Sequence, residues 1–347
     1  MSIEHETTSI SSEARVQLSA GGGGEATKAL IDELVLPRLG NTLLNPLTDA
    51  AIVPFEEPGR LCLTTDASVV QPLAFPGGDI GRLAVCGTVN DLAVMGAEPR
   101  ALTLSMIIEE GLPREVLIRI LDSVAAAAKE AGVVVAAGDT KVVERGSGDG
   151  LYLSTAGVGW LPASVEFGLD RVQAGDRICV SGTIADHGLA LMALREGLAI
   201  DSALHSDVAP LNRLSRALRE LGSGLRFLRD PTRGGLAGVL VDIAEATGLS
   251  LEIAESAIPV AGPTRYVAEL LGLDPLVVAN EGKLVAVIAP ELEQRFIEIC
   301  RGDPLGGRAA VIGSVVESTP PLVELITTAG GRRIVRRAYG EELPRIC

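Results

Sequence analysis

Aromatic residues are nearly missing from this 347-residue chain, which has one Trp, three Tyr and five Phe. Bases would have little to stack on, and a net charge of −15 repels phosphate backbones, so nucleic acid is not an expected partner. Histidine is scarce as well. His5, His187 and His205 are too scattered for a metal triad. The five cysteines are odd in number and contain no C-x-x-C pair, which argues against a disulfide framework and a zinc site and fits reduced thiols. No apolar run approaches the roughly 18 residues that cross a bilayer, and Met1 to Glu13 lacks a hydrophobic signal core. A cytoplasmic protein without membrane contact is expected. The familiar phosphate-binding signatures are absent too: Gly21 to Lys28 does not fit G-x-x-x-x-G-K-[ST], and no G-x-G-x-x-G follows a strand. Any nucleotide site has to be of another type.

What is present is 47% hydrophobic and 22% charged residues, the composition of a globular protein long enough for two domains. Residues 1–20 read as a flexible segment. The Gly21 to Gly24 run then opens a helical stretch, Glu25 to Leu39, with Leu30, Leu34 and Val35 on one face. From Leu61, short apolar strands (Leu61 to Thr65, Ala101 to Ile107, Val133 to Ala137, Leu151 to Val158) alternate with helices expected at Ile80 to Val94 and Arg114 to Ala131. These make a first α/β domain, 21–165. After the turn-forming stretch Pro162 to Asp176 the alternation restarts, with a strand at Arg177 to Ser181, helices at Gly188 to Glu196 and after Gly234, strands near Leu249 to Ile253, Leu284 to Ile288, Ala309 to Val316 and Leu322 to Ile326, and a helix at Glu291 to Cys300. That is a second domain, 175–335. Residues 336–347 have little to bury and read as an extended mobile tail ending in Cys347.

Acidic residues fall at expected strand ends or turns: Asp66, Asp91, Asp139, and Asp230 before Pro231-Thr232-Arg233-Gly234-Gly235. Singly each suits a turn or a cap; several converging would suit magnesium, which takes one or two carboxylates plus phosphate oxygens. Cys62, Cys86, Cys179 and Cys300 lie in apolar patterns and read as small buried hydrophobes. Cys347 differs. It ends a tail that can swing, with Arg345 nearby to favour thiolate, and such a thiol suits the carrying of an electrophilic group. Asp186-His187-Gly188 reads as the start of a helix.

Several stretches carry a resemblance when taken in order: Leu61-Cys62-Leu63-Thr64-Thr65-Asp66, Gly77-Gly78-Asp79-Ile80-Gly81, Thr88-Val89-Asn90-Asp91-Leu92, Gly138-Asp139-Thr140-Lys141, Asp186-His187-Gly188, Arg229-Asp230-Pro231-Thr232-Arg233-Gly234-Gly235, Asn280-Glu281-Gly282-Lys283, and the ending Pro344-Arg345-Ile346-Cys347. Over nearly its whole length the chain resembles the HypE family of hydrogenase maturation proteins, within the AIR synthetase (PurM) and selenophosphate synthetase superfamily. The resemblance implies a two-domain PurM-like α/β (α+β) fold, a homodimer joined through its N-terminal sheets, and ATP between the domains. It aligns Asp66, Asp91 and Asp230 with Mg-phosphate aspartates. It puts Asn90, Asp139, Gly22 and Gly23 among the ATP contacts, and Glu281 and Lys141 near the reacting group. Ala20 and Ser147 stand where relatives carry His, so neither receives an acid/base role.

The implied reaction is ATP-dependent dehydration of a carbamoyl group placed on Cys347 by a HypF-type carbamoyltransferase. The cyanide formed would pass through a HypC–HypD-type complex to the iron of a [NiFe]-hydrogenase. Glu281 is the better candidate for the base, because a carboxylate is ordinarily ionised at pH 7. Two other readings stay open on the residues alone. One is a small-molecule ATP enzyme of the same superfamily, although no Cys precedes Cys62 as selenophosphate synthetases usually require. The other is a non-catalytic scaffold whose tail docks partners.

Overall fold

In the N-terminal half, strands turn apolar side chains to one face and leave the other open, as the two-residue period of a strand dictates. The computed structural model describes residues 15–21, 25–45, 53, 58–198, 204–318, 320–337 and 345–346. Helices α1 (Glu25–Leu30) and α2 (Leu36–Leu39) are joined through Ile31–Val35, whose hydrogen bonds have the wider π spacing. The expected Glu25 to Leu39 helix therefore forms, with a bulge at its middle. There follow β1 (Gly59–Ser68), the short pair β2 (Ala74–Phe75) and β3 (Gly78–Asp79), α3 (Ile80–Val94), β4 (Glu98–Glu109), α4 (Arg114–Ala131), β5 (Val134–Val143) and β6 (Leu151–Pro162).

Four of these strands form one sheet in the order β1-β6-β4-β5, antiparallel except for the β4–β5 pair. Helices α3 and α4 have the bounds expected from the periodicity, because local chemistry marks both. The Asp79 carboxylate caps α3 by accepting from the Arg82 N–H at 2.9 Å, and α4 ends at Gly132 in the left-handed region, φ 72°. Packed on one face of the sheet, α3 buries Ile80, Ala84, Cys86 and Val89. On the other face Leu61, Leu63 and Ile107 remain exposed, Leu63 by 70%.

The C-terminal half comprises β7 (Arg177–Val180), α5 (Asp186–Arg195), α6 (Asn212–Leu218), β8 (Leu225–Arg229), α7 (Gly235–Thr247), β9 (Ser250–Ala254), α8 (Gly262–Leu271), β10 (Val285–Ile288), α9 (Glu293–Arg301), β11 (Ala310–Val316), β12 (Val323–Ile326) and β13 (Arg332–Val335). Its seven-stranded sheet has the order β13-β12-β9-β11-β7-β10-β8. Strand β10 is wholly buried. Val285 and Val287 pack with Leu236 and Leu240 of α7, while Ala286 and Ile288 pack with Leu214 of α6 and Phe296 of α9. Burial on both faces explains its unbroken apolar run.

The two halves share a core. One apolar cluster runs from Ile80 and Leu121 through Leu189 of α5 and Val267 of α8 to Ile346. Polar cross-links reinforce it: Asn212 Nδ2 donates to the Ala131 carbonyl at 2.8 Å, and Ser215 Oγ to that of Ala93 at 2.5 Å. The expectation of a tail with little to bury is corrected here, since Ile346 is only 4% exposed. A short polar segment can still bury one branched side chain when a distant core offers the space.

Candidate functional site

The inward face of β1 carries Cys62, Thr64 and Asp66 toward α3. Opposite Asp66 stands Gly87, where a Cβ would lie 2.5 Å from the Asp66 Oδ2, so the missing side chain makes room for the carboxylate. One helical turn on, the Asp91 Oδ2 accepts from the Thr64 hydroxyl at 2.8 Å. Asp91 is thus a helix residue rather than a turn residue, and Asp66 lies within β1 rather than after it. The C-terminal half adds two more acids. Asp230 follows β8 and is 8% exposed; Glu281 lies four residues before Val285, the first residue of β10, and is 3% exposed. Antiparallel pairing of Val285 with Arg229 brings the entry of β10 beside the exit of β8.

Three of these carboxylates, Asp91, Asp230 and Glu281, are perturbed by burial and by their acidic neighbours. Burial, and then the Asp66 charge, raises the Asp91 pKa, with partial relief from the Thr64 hydrogen bond, Arg233 and Arg229. Asp230 is pushed to about 7 by burial and by Asp91. Burial lifts Glu281 well above the carboxylate range, and Asp230, Asp207 and Asp66 add to it. The Glu281 Oε1 is buried and accepts no hydrogen bond from the protein. Among the described residues no group of three His, Cys, Asp or Glu side chains could hold a metal ion by itself. A hard cation bound by one or two carboxylates and completed by phosphate oxygens fits this donor set, and it would relieve the repulsion.

Beside them lies an acid of opposite behaviour. Asp207 Oδ1 accepts from the Glu281 N–H at 3.0 Å and Oδ2 from Lys283 Nζ at 3.1 Å. Burial opposes its ionisation, yet the Lys283 charge and the Glu281 N–H hold its pKa below the usual value. Gly282 permits this closeness, because a Cβ there would stand 1.8 Å from the Asp207 carbonyl oxygen. From α3, Asn90 Nδ2 donates to the carbonyls of Ala209 at 3.1 Å and Glu281 at 3.2 Å, while its Oδ1 accepts from the Leu211 N–H at 2.7 Å. Asn90 is therefore a strut between the halves. Both its N–H groups are engaged in that bridge.

Comparison with known proteins fits this architecture. Residues 47–161 match the family described as AIR synthase related protein, N-terminal domain, and residues 173–323 the corresponding C-terminal domain. The carbamoyl dehydratase HypE of Azotobacter vinelandii is 47% identical over 333 residues, covering 96% of this chain and 97% of the relative. The chain belongs to the HypE family of hydrogenase maturation proteins. A crystal structure of the hydrogenase maturation protein HypE in complex with ATP superposes with a TM-score of 0.91 at 41% identity, covering 96% of this chain and all of that one. A structure of a HypE–HypF complex matches with a TM-score of 0.78 at 45% identity, covering 89% of this chain and 100% of that one. Enzymes of this family are named carbamoyl dehydratases.

Of the residues singled out on the HypE resemblance, Asp66, Asp91, Asp230 and Glu281 come together. Asp139 and Lys141 do not join them. Both sit on β5, at the edge opposite β1, and Asp139 accepts from Lys141 Nζ at 2.8 Å with both side chains about 60% exposed. By strand alternation they face the open side of the sheet, away from Asp66 of the same chain. Lys141 is instead level with Ile107 and Tyr152 in the register. Gly22, Gly23 and Cys347 lie outside the described residues. Arg345, expected to favour a thiolate, directs its guanidinium to Asp149 at 2.6 Å. The reading of the sequence missed Asp207 and Lys283; the glycine between Glu281 and Lys283 was the available sign of a close main-chain approach. His187, read as a helix-start residue, is fully buried and binds the Ile346 carbonyl at 2.7 Å.

Proposed function

We propose that this chain is an ATP-dependent dehydratase that converts a carbamoyl group on its own Cys347 sulfur to S-cyanocysteine. The observation that carries this reading is the burial of Ile346, the neighbour of Cys347, with its carbonyl bound by His187. A tail used only for docking partners would have no cause to enter the core. ATP and magnesium would lie across Asp66, Asp91 and Asp230, where magnesium would screen phosphate charge.

The chemical difficulty is the carbamoyl oxygen. Phosphoryl transfer from ATP makes it a phosphate, a good leaving group. Loss of two N–H protons and of phosphate then leaves a C≡N group on sulfur, with ADP and phosphate as co-products. Glu281 is the proposed base, though the reason changes: burial carries its pKa upward from 4.5, toward the working pH, where a carboxylate accepts a proton more strongly. Lys141 lies on the open sheet face, so its proposed role in positioning substrate would be exercised across the homodimer rather than within its own chain. A HypF-type transferase would load the tail, in keeping with the HypE–HypF complex of relatives, and a HypC–HypD-type complex would receive the cyanide. The exposed Leu61, Leu63 and Ile107 face is the proposed homodimer surface, and the cytoplasm the proposed location.

Intact mass of the C-terminal peptide tests this. The unmodified protein should gain a carbamoyl group from its transferase and then lose one water on addition of ATP, whereas Cys347→Ser should gain nothing. Label on the serine variant, or a carbamoyl group unchanged by ATP, refutes the reading.

A further inference from the structure

The end of the chain is gripped by its main chain. His187 Nε2 lies 2.7 Å from the Ile346 carbonyl oxygen, which can only accept, so Nε2 carries the proton. Nδ1 then accepts from the Ser206 hydroxyl at 2.8 Å, and Ser206 Oγ accepts from the Val208 N–H at 3.1 Å. Every member of this relay is satisfied with a neutral imidazole, and the Phe75 ring meets the imidazole edge-on at 5.5 Å. Burial holds the His187 pKa below its ordinary value; the Asp207 charge and the Ile346 carbonyl oppose this and Arg195 adds to it.

One residue back, the Arg345 carbonyl accepts from the Arg195 guanidinium and, at 3.3 Å, from the Gln71 N–H. The Arg195 Nε donates to the Gln71 carbonyl at 2.7 Å, which orients the guanidinium. Arg345 itself has φ 58°, a left-handed conformation that a non-glycine residue keeps only when its surroundings impose it. Its side chain reaches Asp149, which the Tyr152 hydroxyl steadies at 2.7 Å.

We infer that His187, Arg195 and the Gln71 main chain form a cradle that holds the chain end through two consecutive carbonyls and the Ile346 side chain, fixing where the following residue is presented. His187 and Arg195 are positioning residues. Among the described residues the contacts of the grip all fall on Arg345 and Ile346, and on this inference the cradle accepts a tail whose sulfur carries thiol, carbamoyl group or cyanide. The relay also reaches the proposed base, because Ser206 adjoins Asp207, whose carboxylate holds the Glu281 N–H. This last link rests on the dehydratase reading; the grip does not.

The test separates the two. In the full-length protein without ATP or partner, Cys347 is alkylated with iodoacetamide and followed by peptide mass, with the half-buried Cys62 as internal reference. Loss of one such hydrogen bond in His187→Ala should speed labelling about tenfold. His187→Gln, whose amide can replace the Nε2–H donor, should restore protection. Ile346→Ala should also speed labelling, and it leaves the cradle itself intact should His187→Ala fail to fold. Unchanged labelling in His187→Ala and Ile346→Ala overturns the cradle. With a tail carbamoylated beforehand, single-turnover conversion should fall in His187→Ala at unchanged ATP affinity and recover in His187→Gln. Faster labelling with unchanged conversion overturns the positioning role. Failure of every protein, unmodified included, to convert the carbamoyl group would refute the dehydratase reading and leave the labelling result standing.

Discussion

Asp207 and Glu281 are both secluded from water and joined through a hydrogen bond from the Glu281 main chain, yet their carboxyl groups are driven in opposite directions. Asp207 has Lys283 at 3.1 Å and a main-chain donor, and its pKa falls. Glu281 has an oxygen without a donor and acids for neighbours, and its pKa rises, as does that of Asp230. Burial is common to all three, so the partner decides the charge state. The paired acid is built as structure, while the unpaired ones hold reactivity at a cost in stability that only the ligands of the site can offset.

The paired side breaks hardest. Lys283→Met should leave the Asp207 charge buried alone and destabilise the protein by about 3–5 kcal/mol, measured by urea denaturation. A loss below about 1 kcal/mol would mean that solvent already reaches the pair, and the contrast with Glu281 would collapse.

On the unpaired side, Glu281→Gln should lower single-turnover dehydration by roughly 10²–10⁴-fold, the usual worth of a positioned base, without weakening ATP binding or destabilising the fold. The base works ionised, so the rate in the unmodified protein should rise with pH through a pKa above the carboxylate range and flatten beyond it. A rate independent of pH from 5 to 9 would remove Glu281 from proton transfer.

Asp230→Asn gives the subtlest readout. Its folded pKa of about 7 exceeds the ordinary 3.8, so the stability it contributes is full below the unfolded value and is lost as pH rises through about 7. Without magnesium-nucleotide, the unmodified protein should therefore weaken over that window relative to Asp230→Asn, by at most on the order of 4 kcal/mol. Parallel stability curves would show that Asp230 is ionised in the fold and shares the situation of Asp207.

Local chemistry made part of this molecule legible. The bounds of α3 and α4 follow from an apolar helical run capped by Asp79 and an amphipathic period stopped at Gly132, and the restart of alternation after Pro162 marks the second sheet. Helix α6 and strands β8 and β13 escaped, being short segments, and α8 escaped although its amphipathic period is clear. Asp66, Asp91 and Asp230 could be proposed from ordered motifs, and the fold does gather them. Asn90 sits in the same motifs, and its bridging of the two halves was not legible, because an amide side chain looks alike in sequence whether it meets a ligand or a carbonyl.

By itself the sequence determined the family, the two-sheet plan and the candidacy of Asp66, Asp91, Asp230 and Glu281, since these depend on composition, periodicity and motifs read along one chain. Only the tertiary structure decided which acid is paired, that Asp139 and Lys141 face away from the others, and that the tail enters the core. Those outcomes rest on contacts such as His187 with Ile346, 159 positions apart. A group's charge and access to water are set by whatever the fold brings beside it, and no local pattern encodes that neighbour.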